Sequence, residues 1–152
     1  MKTLKTLLAE IFDKSPAHFT YKIDSFTKEH AYTFHIKDAI YNAYFFSEDA
    51  ITGVYDLTFC LASHRGELKH NISLTGLGVE TATLVFTTLL EIIRDFIRKV
   101  KPEGISFFAT KTEGESRNII YSHLLQTKLK LANYTYEIHN GFNEVEYFII
   151  KK

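Results

Sequence analysis

Residues 75–109 read TGLGVETATLVFTTLLEIIRDFIRKVKPEGISFFA. Within this stretch Ala82, Val85, Phe86, Leu89, Ile93, Phe96, Ile97 and Val100 fall on one stripe at helical spacing. Glu91, Arg94, Asp95, Arg98 and Lys99 lie largely opposite, so the segment reads as a long amphipathic helix. Lys101-Pro102-Glu103-Gly104 ends it, because proline disfavours helical backbone in the residue before it. Ile105-Ser106-Phe107-Phe108-Ala109 then reads as a buried strand. A strand reached through a helical crossover is expected to run parallel to the strand that precedes the helix. Thr75-Gly76-Leu77-Gly78 opens the helix as a glycine-containing turn. Strand, turn and helix in this order leave unpaired backbone N–H groups at a positive helix terminus, and Gly76 and Gly78 carry no Cβ to keep a phosphate away. Such a pair also opens many helices for packing reasons alone.

Towards the N-terminus, Leu4, Leu7, Leu8 and Ile11 recur at helical spacing until Ser15-Pro16, which predicts a short amphipathic helix over 3–13 that caps the domain within a terminal segment 1–15. Residues 19–75 read as an antiparallel meander. Tyr21–Ile23, Ala31–Ile36, Ile40–Phe46 and Val54–Leu61 alternate and are rich in β-branched and aromatic residues, with short polar joints between them. Ser63 to His70 reads as a hairpin loop and Asn71 to Leu74 as one further short strand. Beyond the quoted stretch, residues 115–131 read as a second helix with Ile120, Tyr121, Leu124 and Leu131 inward. Tyr134–His139 and Val145–Ile150 then form a closing hairpin around Asn140-Gly141, a dipeptide suited to a tight reversal.

The 152 residues fit a single domain, 1–152, and 45% hydrophobic residues with 13 Phe and 9 Tyr supply its core. Eighteen basic residues balance 18 acidic ones, so no broad positive field exists to hold nucleic acid or an anionic membrane. No segment has the length or composition of a membrane span or a signal peptide. Cys60 has no partner in the chain for a disulfide, which fits a reducing, cytoplasmic compartment, and it reads as a strand residue rather than a nucleophile. His30 with His35, and His64 with His70, lack metal-site spacing, so no metal is expected.

Meander, glycine turn, long helix, parallel strand, second helix and final hairpin is the connectivity of the GNAT N-acetyltransferases, and the chain resembles that α/β (α+β) fold over roughly 40–150. The resemblance implies a mixed sheet that binds acetyl-CoA. In the family the loop before the long helix carries Arg or Gln, two residues, Gly, one residue, then Gly or Ala. Ser73-Leu74-Thr75-Gly76-Leu77-Gly78 matches both glycines, with Ser73 in place of the long polar side chain. Thr75, Gly76, Leu77 and Gly78 are thus implied to hold the pyrophosphate. Tyr121 is similar in placement to the tyrosine that protonates the departing thiolate, and Arg117, one turn earlier on the same face, could steady a phosphate or carboxylate. The family's asparagine seven residues before that tyrosine is replaced by Gly114, and Ala132-Asn133-Tyr134 stands well beyond the family's Gly-Phe or Gly-Tyr position.

This pattern is similar to the small divergent GNAT-like proteins of bacteriophage genomes, which implies a host-cytoplasm setting. Glu67, Glu80, Glu113, His64, His70 and His139 are each chemically suited to act as base, and no spacing selects one. As a solvated arginine and a packed aromatic, Arg117 and Tyr121 would instead be structural. Two functions stay open. One is a CoA-dependent acyltransferase acting on an amine of a protein or small molecule. The other is a non-catalytic interaction protein that keeps the fold without acetyl-CoA chemistry and docks through an exposed aromatic set among Tyr41, Tyr44, Phe45 and Phe46.

Overall fold

The computed structural model describes residues 15–47, 52–61, 79–110, 133–142 and 144–152. Their elements are β1 (Phe19–Ile23), β2 (His30–Ile36), β3 (Ala39–Phe46), β4 (Val54–Leu61), α1 (Val79–Val100), β5 (Gly104–Thr110), β6 (Tyr134–Asn140) and β7 (Glu144–Lys151). The expected helices over 3–13 and 115–131, the loop over 63–70 and the strand over 71–74 lie outside the described residues. The class is α+β, with one seven-stranded mixed sheet in the order β1-β2-β3-β4-β5-β7-β6 and a single described helix.

The meander forms as its alternation demands. β1 to β4 pair antiparallel in sequence order, and the first two joints each have a local cause. Between β1 and β2 the Asp24 carboxylate accepts hydrogen bonds from the Phe26 and Thr27 amides, both at 2.8 Å, which holds the reversal. Between β2 and β3 only Lys37-Asp38 intervene, with Lys37 at φ 55° as a tight hairpin requires. The pleat sorts the aromatics of β3. Tyr41 and Phe45 are buried under α1, whereas Phe46, on the opposite face, is 37% exposed.

α1 packs its stripe on that face. Val85, Phe86, Leu89, Ile93, Phe96 and Ile97 are buried, and Phe96 is the hub. Its ring stacks on Phe45 with centroids 3.9 Å apart and meets His30 and Tyr55 edge-on at 5.2 and 5.0 Å. Burial goes beyond the stripe, since Thr87, Thr88, Leu90 and Ile92 are buried too. Thr88 tolerates this because its hydroxyl donates to Leu84 O at 2.7 Å and accepts from the Ala17 amide at 2.8 Å. The helix ends where the sequence places its stop. Lys101 takes a left-handed φ of 50° and its amide bonds Ile97 O at 2.9 Å, a C-terminal cap ahead of Pro102.

β5 returns parallel to β4, and β7 pairs antiparallel with β5, which leaves β6 at the edge. On the core side Phe107 stacks on Tyr147 at 5.2 Å, and Tyr134 donates its hydroxyl to Pro102 O at 2.7 Å. No helix among the described residues is long and apolar enough to cross a membrane.

Candidate functional site

The parallel pair at the centre of the sheet is incomplete. β4 and β5 have eight and seven residues, yet their described register covers Val54↔Gly104, Tyr55↔Ile105 and Asp56↔Ser106, and stops there. Each strand continues in a ladder on its outer side. Leu57 to Leu61 pair with Phe45 to Tyr41 of β3, and Phe107 to Thr110 pair with Tyr147 to Glu144 of β7. Two supported arms therefore leave a common apex as a wedge. Alternate residues of a strand direct their main-chain groups to alternate sides, so about half of those on each arm are aimed into the wedge.

Simple dimensions show what such an opening can take. Paired strands lie about 4.8 Å apart, and a guest with the width of a strand needs about twice that. Arms of four to five residues run about 13–17 Å, so a divergence of roughly 16–20° suffices at the wide end. An extended chain carrying amides is the kind of guest such an opening suits, because it can meet strand edges with its own donors and acceptors.

The apex is built tightly. Gly53 sits at φ 67°, and its carbonyl accepts from the amides of Glu103 at 2.9 Å and Gly104 at 3.5 Å. A Cβ at Gly104 would lie 3.3 Å from Ile149 O, so β5 starts where β7 comes close. Two residue pairs further on, Ser106 Oγ donates to Asp56 Oδ1 at 2.6 Å, with Ser106 only 4% exposed.

α1 completes the geometry. Its C-terminal end joins β5 through Lys101–Glu103, and Phe96 meets Tyr55 near the start of β4, so the helix runs antiparallel to both strands. Its 22 residues extend about 33 Å, against about 26 Å for β4. The N-terminus of α1 therefore lies toward the wide end of the wedge, where the helix dipole favours an anion.

Every residue nominated from sequence for the site, namely Thr75, Gly76, Leu77, Gly78, Arg117 and Tyr121, lies outside the described residues, as do Ser73 and Gly114. In the chain, 75–78 immediately precede Val79, the first residue of α1. Of the six potential bases, only His139 has a described side chain. It lies exposed on edge strand β6 beside Glu137 at 3.1 Å, with β7 between it and the wedge strand β5. His30 and His35 fall on opposite faces of β2, and no group of three or more His, Cys, Asp or Glu suited to a metal occurs among the described residues.

Two further polar features serve as contrasts. Tyr32 donates to Asp95 at 2.7 Å, Lys99 pairs with the same carboxylate at 2.5 Å, and the Lys99 ammonium sits 4.2 Å from the Tyr21 ring centroid. Burial pushes the Asp95 carboxyl up, but the hydrogen bonds from Lys99 and Tyr32 outweigh it and hold the group below the usual carboxylate range. Burial, reinforced by Asp95, pushes the Tyr32 phenol far up. This cluster fastens the C-terminal end of α1 to β2, at the end remote from the wide mouth. A depression of about 400 Å³ opens on the face away from α1, lined by Lys22, Asp24, Glu29, Thr33, Asn42 and Tyr44 among others. It sets two carboxylates against one lysine, which makes it a poor cradle for a pyrophosphate.

Neither the end of the β4–β5 ladder nor the Asp56–Ser106 bond is legible in the sequence, because both depend on the register of strands 50 residues apart. No protein-family model matches this chain, and no curated protein matches it.

Proposed function

We propose that the chain is a GNAT-like protein that binds acyl-CoA in the β4–β5 wedge and transfers the acyl group to an amine. The observation that carries this reading is the parallel pair that opens after Asp56–Ser106, with the N-terminus of α1 toward its wide end. The pantetheine arm of acetyl-CoA is an extended chain with two amides, the kind of guest the strand edges suit. Its pyrophosphate then lies at the helix mouth, beside Thr75, Gly76, Leu77 and Gly78. The neutral amine attacks the thioester carbonyl, the carbon–sulfur bond breaks, Tyr121 donates its proton to the leaving thiolate, and the proton lost from the amine nitrogen returns through water to the tyrosinate. Arg117, four residues before Tyr121 in the chain, steadies a phosphate or the acceptor.

Excess acetyl-CoA is expected to raise unfolding stability by about 2.7 kcal/mol at a hundred times its Kd. Gly78→Val should abolish that shift while circular dichroism stays native. A shift that survives Gly78→Val removes 75–78 from the site, and no shift in the unaltered protein removes the acyl-CoA reading. The second outcome would favour an interaction protein, a reading supported by Phe26 and Phe142, which stand 95% and 93% exposed at two hairpin turns.

A further inference from the structure

The sheet ends in two edge strands of different character. β1 is five residues long and carries an exposed lysine, Lys22, which discourages pairing at an edge. β6, Tyr134-Thr135-Tyr136-Glu137-Ile138-His139-Asn140, is longer, contains neither lysine nor proline, and pairs with β7 residue for residue without a bulge. Among the described residues nothing pairs with its outer side. The Lys152 amide donates to Asn133 O at 2.7 Å, so Asn133, Thr135, Glu137 and His139 turn their main-chain groups toward β7. Those of Tyr134, Tyr136, Ile138 and Asn140 therefore point outward. Side chains divide at the same positions. Tyr134 and Ile138 pack on the core, which puts Tyr136, 42% exposed, on that side too. Thr135, Glu137 and His139 are exposed on the other face.

We infer that β6 is a dimerisation edge: a second copy of this chain adds its own β6 antiparallel across a twofold axis at Ile138, and the two sheets become one. The strand is self-complementary in that register. Ile138 faces Ile138 of the second copy, and Tyr136 faces its Asn140, as pairs that each exchange both outward main-chain bonds, about six bonds in all. Glu137 faces His139 of the second copy, and the reverse, at the non-hydrogen-bonded positions where side chains come closest. Each such pair is a hydrogen bond with neutral imidazole and an ion pair with protonated imidazole. On the core side Tyr136 lies diagonal to Ile138 of the second copy, so an apolar row crosses the seam. Charge selects this register over its neighbours. An axis at Glu137 would set two carboxylates against each other, and an axis at Tyr136 would set Glu137 against Thr135 and lose both Glu–His pairs. The inference does not depend on acyl-CoA binding.

The test is sedimentation equilibrium of the whole chain from about 1 to about 200 μM, where dimerisation shows as a concentration-dependent rise toward twice the chain mass. Tyr136→Pro should stay monomeric. The Tyr136 N–H points outward, so proline there removes no bond to β7, and circular dichroism should remain native. Glu137→Lys and His139→Glu should each weaken dimerisation about tenfold, and both positions are exposed, so the fold should survive either change. The double variant Glu137→Lys/His139→Glu restores opposite charges across the seam and should return to within about threefold of the unaltered protein. A chain that stays monomeric throughout overturns the proposal and leaves the edge to a strand of another protein. A dimer that persists in Tyr136→Pro overturns it as well. Single charge variants that dimerise like the unaltered chain, or a double variant that shows no rescue, refute the Ile138 register on which it rests.

Discussion

Phe96→Ala should be the most damaging single truncation in α1. Phe96 is fully buried, its ring lies 3.9 Å from that of Phe45, and it makes edge contacts with His30 and Tyr55, so one side chain joins the helix to β2, β3 and β4. Truncating a buried Phe to Ala costs about 3–5 kcal/mol, of which each ring–ring contact supplies about 0.5–1.5 kcal/mol beyond area. In a chain of this size 1 kcal/mol corresponds to about 2–4 °C, so Tm should fall by roughly 6–20 °C. Phe96→Leu keeps most of the apolar volume and loses the ring geometry, for about 1–1.5 kcal/mol. Urea unfolding reads both as a lower midpoint at an unchanged slope. Phe26→Ala, at a 95% exposed position, is the control and should stay within about 0.5 kcal/mol. A loss below about 1 kcal/mol for Phe96→Ala would refute the docking of α1 on β2–β4, and with it the placement of the helix terminus toward the wedge.

Gly53→Ala should cost about 1–2 kcal/mol in a thermal melt, because Gly53 holds φ 67° and a Cβ would come within 3.0 Å of Glu103 Cγ; an unchanged melt contradicts the tight apex. Tyr32→Phe should cost about 1–2 kcal/mol by urea unfolding and raise the Asp95 carboxyl seen by NMR titration, since it removes one of the hydrogen bonds that hold the group low. Burial holds the His30 ring below its ordinary value of about 6.5, so the unfolded chain takes up the proton first as pH falls. Stability should therefore drop as pH falls from about 6.5 toward the lower folded value and level off beneath it, and His30→Gln should flatten that step. The Asp95 contribution behaves differently, holding above about 3.9 and disappearing as pH falls through the depressed folded value.

Much of the scaffold was legible because its signals are local. Alternation marked β2, β3 and β4, the stripe from Val85 to Val100 marked α1, and Lys101-Pro102 marked its end. What escaped depends on the covering of surfaces by distant chain. Thr88 lies outside the apolar stripe, and Asp95 read as one of the polar positions opposite it. The first is buried because the Ala17 amide reaches its hydroxyl, and the second is drawn into a network by Tyr32, 63 residues away. Leu90 and Ile92, off the stripe, are buried although the stripe marks only the side facing the sheet. The site was legible in a different part. Sequence pointed to a turn at 75–78, which lies outside the described residues, whereas the described structure supplies the β4–β5 wedge, which no spacing in the sequence encodes.

Amide hydrogen exchange with and without acetyl-CoA tests the wedge most directly. Saturating ligand is predicted to slow exchange in Leu57–Leu61 and Phe107–Thr110, the two arms, while the β2–β3 hairpin from His30 to Phe46 exchanges as before. Acetyl-CoA bound by calorimetry but with both arms exchanging unchanged would contradict the account.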